Sequence, residues 1–136
     1  MKRPRQSYAE RRKQVLVVDD NEEIRDLVSL ILRESEFDCI GAADGKEGIC
    51  IARNDNPDII LLDIIMPGFD GFTTASILKR NLKTRHIPIV FISGRLAKED
   101  IAAAVKAGGE DYIAKPFSPS DILARLRKIL EPRLSV

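Results

Sequence analysis

Histidine and cysteine are scarce in this chain of 136 residues. His86 is the sole histidine and stands just before Ile87-Pro88, where a loop should enter a strand. With no second histidine and no neighbouring nucleophile, it reads as a loop residue. Cys39 and Cys50 are too few for a disulfide framework and lack metal-ligand spacing, so both are expected reduced, in or near the core of a cytoplasmic protein. No apolar run approaches the length needed to cross a bilayer, so no membrane association is expected. The N-terminus is basic but has no following apolar stretch, and does not read as a secretory signal. Charge of one sign is also missing: Lys plus Arg total 22 and Asp plus Glu total 21, which gives no argument for direct nucleic-acid binding. The exception is local. Lys2, Arg3, Arg5, Arg11, Arg12 and Lys13 crowd the start against Glu10 alone, and residues 1–13 are expected to form a poorly ordered basic extension.

What is present is an alternation of short apolar runs with helical periodicity. That pattern predicts a parallel sheet with crossover helices. The strands are expected at about Gln14–Asp19, Phe37–Gly41, Asp58–Leu62, Pro88–Ile92 and Glu110–Ala114. The first helix carries Ile24, Leu27, Val28, Ile31 and Leu32 at helical spacing, with Asp20 or Asn21 as its cap. Asp44 opens a second helix through about Asn54, interrupted by Gly45 and Gly48. A third begins near Gly71. A fourth runs from about Ala97 to Ala107 with Ile101, Ala104 and Val105, and Gly108-Gly109 ends it. Ser118, Pro119 and Asp121 form a capping-box-like start for the last helix. Its buried stripe is expected to be Ile122, Leu123, Leu126, Ile129 and Leu130. Five βα units fill residues 14–131 as one domain, and 132–136 are a tail or the start of a linker.

The strand ends carry the chemistry. Val15-Leu16-Val17-Val18 ends in Asp19-Asp20, Ile59-Ile60-Leu61-Leu62 ends in Asp63, and Asp111-Tyr112-Ile113-Ala114 ends in Lys115-Pro116. In a parallel sheet these ends meet at one rim, where open α/β sheets place their sites. Two unit charges about 4 Å apart cost about 4 kcal/mol at an effective dielectric of 20. Carboxylates gathered this way call for a cation, and Mg²⁺ suits an oxygen-only set that leaves room for an incoming phosphate. An aspartate can act as a nucleophile and form an acyl phosphate. Lys115 would face the phosphoryl group as a positive charge, and Ser93 would offer it a hydroxyl beside the small Gly94. The Lys115-Pro116 bond is either an ordinary trans turn or a cis one that aims the lysine at the rim.

The ordered set Asp19-Asp20, Asp63, Met66-Pro67, Asp70-Gly71, Ser93-Gly94, Tyr112 and Lys115-Pro116-Phe117 resembles the receiver domain of two-component response regulators, over about Gln14 to Leu130. The resemblance implies a doubly wound, flavodoxin-like sheet of five parallel strands with five helices. It implies that Asp63 takes phosphate from a phosphohistidine on a histidine kinase or histidine phosphotransfer protein. Asp19, Asp20, Asp63 and the backbone carbonyl of Ile65 would bind Mg²⁺, and Ser93 and Lys115 the phosphoryl group. Ser93 and Tyr112 would switch together, reshaping the face of the fourth helix, fifth strand and fifth helix, which is also the candidate surface for a homodimer. Kinase docking would fall on Asn21, Ile24, Leu27, Pro116 and Phe117. Such a domain is not an enzyme beyond catalysing its own phosphorylation and dephosphorylation. Serine at 93 replaces the commoner threonine, and apolar Ile65 stands where some relatives carry a water-positioning group.

Three rival readings are weaker. A haloacid-dehalogenase-type phosphatase needs an Asp-x-Asp pair, whereas here Asp19 and Asp20 are adjacent and Asn21 follows. A nucleotide or flavin binder would be expected to show G-x-x-x-x-G-K-S/T or G-x-G-x-x-G, and neither occurs. A receiver-like module that no longer takes phosphate would not need the intact acidic set and lysine.

Overall fold

The computed structural model describes residues 12–94 and 98–131. Five strands alternate with five helices: β1 Lys13–Val18, α1 Glu22–Arg33, β2 Phe37–Ala42, α2 Gly45–Asp55, β3 Ile59–Asp63, α3 Gly71–Arg80, β4 Ile89–Ser93, α4 Lys98–Lys106, β5 Asp111–Ala114 and α5 Pro119–Leu130. All pairings are parallel, in the order β2-β1-β3-β4-β5. The expected doubly wound sheet is therefore present. Its switch point lies between β1 and β3, because the chain leaves β1 toward one edge and returns on the other side.

Strand alternation divides the core in two. Leu16, Val18, Ile60, Leu62, Ile89 and Phe91 face α2, α3 and α4 through Ala52, Ala75, Leu78 and Ala104. Val15, Val17, Ile59, Leu61, Val90 and Ile92 face α1 and α5 through Val28, Ile31, Leu32, Ile122 and Leu126. β3 and β4 are buried along their whole length, which is why both read as unbroken apolar runs.

Local chemistry sets the helix ends. Asn21, not Asp20, caps α1 by accepting the Glu23 and Ile24 N–H groups. Asp44 caps α2 by accepting the Glu47 N–H, Asp70 caps α3 by accepting the Thr73 N–H, and Ser118 and Asp121 complete a reciprocal capping box on α5. Gly108 takes φ +93° just after α4, a backbone conformation that favours glycine.

Several expectations need correction. Arg12 and Lys13 belong to the folded unit: Arg12 donates to the Asp38 carboxylate at 2.8 Å and to the carbonyls of Ser35 (3.0 Å) and Phe37 (2.6 Å), and Lys13 opens β1. Residues 1–11 and 132–136, Ala97 and Arg95 lie outside the described residues. Leu27 is exposed because α1 buries the neighbouring stripe of Val28, Ile31 and Leu32. Val105 is exposed for the same reason, since α4 turns Ala104 inward. On α5 only Ile122 and Leu126 are fully buried, with Leu123, Ile129 and Leu130 half-covered at the margin. Cys39 is half-buried as expected, but Cys50 is exposed on α2. Gly48 does not weaken α2 by accident. A Cβ there would stand 2.8 Å from Val18 Cγ2, so its absence lets α2 lie against β1.

Gly71 controls the loop after Asp63. A side chain there would collide with the Asp63 carbonyl oxygen and come within 2.7 Å of Ile64 Cα, and its N–H bonds the Ile64 carbonyl at 2.8 Å. Backbone atoms cannot yield as a flexible side chain can. Gly71→Ala is expected to destabilise the fold by about 1–3 kcal/mol. Denaturant unfolding checks this, and an unchanged midpoint would show that the loop does not need the close approach.

Candidate functional site

Register brings the chemistry together. Val18 stands opposite Leu62, so Asp19 and Asp63 emerge side by side at the carboxyl rim. Ser93 pairs with Ala114, and the Lys115 N–H donates to the Ser93 carbonyl at 2.8 Å, which brings the base of Lys115 to the same rim. Lys115 Nζ then reaches across the sheet to Asp19 Oδ2 at 2.9 Å and Asp63 Oδ1 at 3.4 Å. The Lys115-Pro116 bond is cis.

Asp19 is held at nearly every polar atom. Its N–H donates to the Ala42 carbonyl at 3.1 Å, Oδ1 accepts the Asn21 N–H at 2.9 Å, and Oδ2 accepts Lys115. It is 1% exposed and Asp63 5%, whereas Asp20 faces solvent. Carboxylate oxygens from Asp19, Asp20 and Asp63 lie within 4.8 Å of one another. Ser93 is 2% exposed at the end of β4, and Ile65 turns its apolar side chain outward, 53% exposed. Tyr112 is half-buried on β5 against the α2–α4 side of the core. Asn21, Leu27 and Pro116 are exposed, while Ile24 and Phe117 pack partly into the α1–α5 side. Asp70 stays out of the cluster, since its carboxylate is spent capping α3.

The charge balance is uneven. Burial is the main reason the Asp63 carboxyl rises to about 6, with Asp19 pushing the same way and Lys115 opposing. Burial disfavours the Lys115 ammonium, but the hydrogen bond it donates to Asp19 and the field of Asp63 outweigh it, and its pKa rises. One ammonium cannot neutralise three carboxylates. The donor set is all oxygen, and Asp20 opens it to solvent, so the residues fit a metal ion that keeps part of its hydration. Sequence reasoning did not single out Arg25, whose Nη1 donates to the Asp19 carbonyl at 2.7 Å. The only sequence signal was a cation in the acidic first turn of α1.

Comparison with known proteins gives the family. Residues 15–127 match the family described as the response regulator receiver domain. The chain belongs to the response regulator receiver family. Its function is that of a phosphoacceptor receiver in a two-component system. The chain is similar to the phosphate regulon transcriptional regulatory protein PhoB of Escherichia coli, with 36% identity over 87% of this chain and 52% of that protein. It is also similar to the DNA-binding dual master transcriptional regulator RpaA of Synechocystis, with 36% identity over 85% of this chain and 48% of that protein. The chain thus spans about half the length of these curated relatives. Among solved structures, the chemotaxis protein CheY4 of Vibrio cholerae superposes with a TM-score of 0.85 at 28% identity, covering 88% of this chain and all of that one.

The raised Asp63 pKa has a consequence for stability. The native state holds this proton more tightly than the unfolded chain does. The contribution is therefore complete below about pH 4 and is lost as pH rises through about 6. The displacement from 3.8 to about 6 corresponds to roughly 3 kcal/mol. Asp63→Asn carries no such proton. Without added metal, its stability relative to wild type should rise by about that amount between pH 4 and pH 7. A difference that stays constant across this range would contradict the reading.

Proposed function

We propose that Asp63 is the phosphoacceptor of this receiver and that the cation held with Asp19 and Asp20 is Mg²⁺. The observation that carries the reading is the position of Asp63: at the switch point of the sheet, beside a buried carboxylate and within 3.4 Å of the Lys115 ammonium. A carboxylate with a pKa of about 6 is largely ionised at neutral pH and is disfavoured by its surroundings. Transfer of a phosphoryl group to it changes that balance.

The reaction is a displacement at phosphorus. A carboxylate oxygen of Asp63 attacks the phosphorus of a phosphohistidine, the P–O bond of an acyl phosphate forms, and the P–N bond breaks to return imidazole to the donor. Mg²⁺, when bound by Asp19, Asp20, Asp63 and the Ile65 carbonyl, supplies neutralising charge for the phosphoryl oxygens. Lys115 contributes the protein's own cation on the other side, released from part of its pairing as Asp63 is esterified. The Ser93 hydroxyl donates to a phosphoryl oxygen. The chain would act on no other substrate, catalysing only its own phosphorylation and dephosphorylation.

Kinase or phosphotransfer-protein docking is assigned to the rim around the start of α1 and the β5–α5 loop, through Asn21, Ile24, Leu27, Pro116 and Phe117. Three of these are exposed and the other two half-covered, which suits a surface that receives a partner. Ser93 ends β4 opposite Ala114, and Tyr112 lies two residues before Ala114 on the neighbouring β5, so a movement of Ser93 toward a phosphoryl group would be felt at the α4–β5–α5 face. That face is the proposed output or homodimer surface.

Incubation with acetyl phosphate and Mg²⁺ should add the mass of one phosphoryl group to the intact chain. Asp63→Asn should remove the adduct, because an amide does not form an acyl phosphate. An adduct that persists in this variant would place the nucleophile elsewhere.

A further inference from the structure

Arg25 is a cation at the wrong end of its helix. It lies in the first turn of α1, at the positive end of the helix dipole, where Glu22 and Glu23 are the favoured charges. A positive side chain there is disfavoured unless it has another partner. The side chain bends back across the β1–α1 turn, and Nη1 donates to the Asp19 carbonyl at 2.7 Å. Its stem lies over β2 at Gly41, where a Cβ would stand 3.5 Å from Arg25 Cδ and 3.9 Å from Nε and meet nothing else within 4 Å. The carbonyl it grips belongs to the peptide joining Asp19 to Asp20. Asp19's own N–H and both carboxylate oxygens are already fixed by Ala42, Asn21 and Lys115, so this carbonyl governs how the chain turns into Asp20.

We propose that Arg25 is a positioning residue for the metal site: by clamping the Asp19–Asp20 peptide it sets the direction of the exposed Asp20 carboxylate relative to Asp19 and Asp63. The proposal rests on the Mg²⁺ reading above. Groups that orient metal ligands from behind are typically worth 10- to 100-fold in metal affinity. The stem runs close over the adjacent strand β2: a Cβ at Gly41 would reach van der Waals contact with it, and a branched side chain there would press against it.

The test is a Mg²⁺ titration of the whole chain, followed by thermal unfolding and by calorimetry. The panel is wild type, Arg25→Ala, Arg25→Lys, Gly41→Val and, as a control for lost ligation, Asp20→Asn. Arg25→Ala is expected to raise the Mg²⁺ Kd about 10-fold. Metal-free melting should change little, because removing a cation from the first turn of α1 offsets the lost hydrogen bond. Arg25→Lys keeps a donor and should recover part of the affinity. Gly41→Val leaves the charge in place but pushes the stem aside, and should weaken Mg²⁺ binding in the same direction. In acetyl phosphate labelling, Arg25→Ala should need more Mg²⁺ for half-maximal rate yet approach the wild-type rate at saturation. Wild-type Mg²⁺ affinity in Arg25→Ala, or a loss confined to metal-free stability, overturns the proposal and leaves the metal site standing. A wild-type chain that does not respond to Mg²⁺ overturns the metal reading and this proposal with it.

Discussion

Repulsion among three carboxylates at one rim is the constraint on which the site depends. Asp19 and Asp63 are almost fully withdrawn from water, and only Asp20 remains in contact with it. Lys115 bridges the two buried members and is the sole ammonium bonded to them among the described residues. The arrangement is stable enough to form, because each group of Asp19 is satisfied, yet it leaves net negative charge concentrated in a place of low polarity. A site built in this way is poised to accept positive charge and to give up one of its own negative charges to a covalent bond.

The rest of the fold serves that rim. Parallel register puts the ends of β1 and β3 side by side, and β4 and β5 bring Ser93 and Lys115 up on the same edge. Two layers of helices keep water from the apolar strands beneath, so the acids are buried from below and open only above. Small residues admit close approach where it matters. Gly71 lets the loop after Asp63 fold back on its own strand, and Gly48 lets α2 settle on β1. At the far edge, bidentate pairing of Arg127 with Glu36 joins α5 to the turn before β2, and the Arg127 bond holds the Glu36 carboxyl at about 2.

Much of this was legible in the amino-acid order, and the reasons are specific. Buried parallel strands are apolar on both faces, so β3 and β4 announced themselves as runs ending in Asp63 and Ser93. Caps such as Asp44 and Ser118 were readable because their side chains bond to backbone a few residues away. What escaped was long-range or depended on rotation about a helix axis. Leu27 and Val105 fit the helical spacing yet sit just off the buried stripe. Asp70 follows Asp63 closely in sequence, yet a local bond from the Thr73 N–H keeps its carboxylate at the start of α3. Arg12 read as part of a loose basic tail, although its partners lie 23 to 26 residues further along the chain. Arg25 was hidden for a similar reason, since its role is visible only once β1, β2 and α1 are in place.

The central claim is that burial and neighbouring negative charge hold the Asp63 carboxylate in a disfavoured state that a cation relieves. The most direct measurement is the titration of the Asp63 side-chain carboxyl by carbon NMR, assigned by comparison with Asp63→Asn, without metal and at saturating Mg²⁺. The account predicts a midpoint at about 6 in the metal-free protein, moving down toward the ordinary carboxylate value when Mg²⁺ is added. A midpoint already near 3.8 without metal, or one that Mg²⁺ leaves in place, would contradict it.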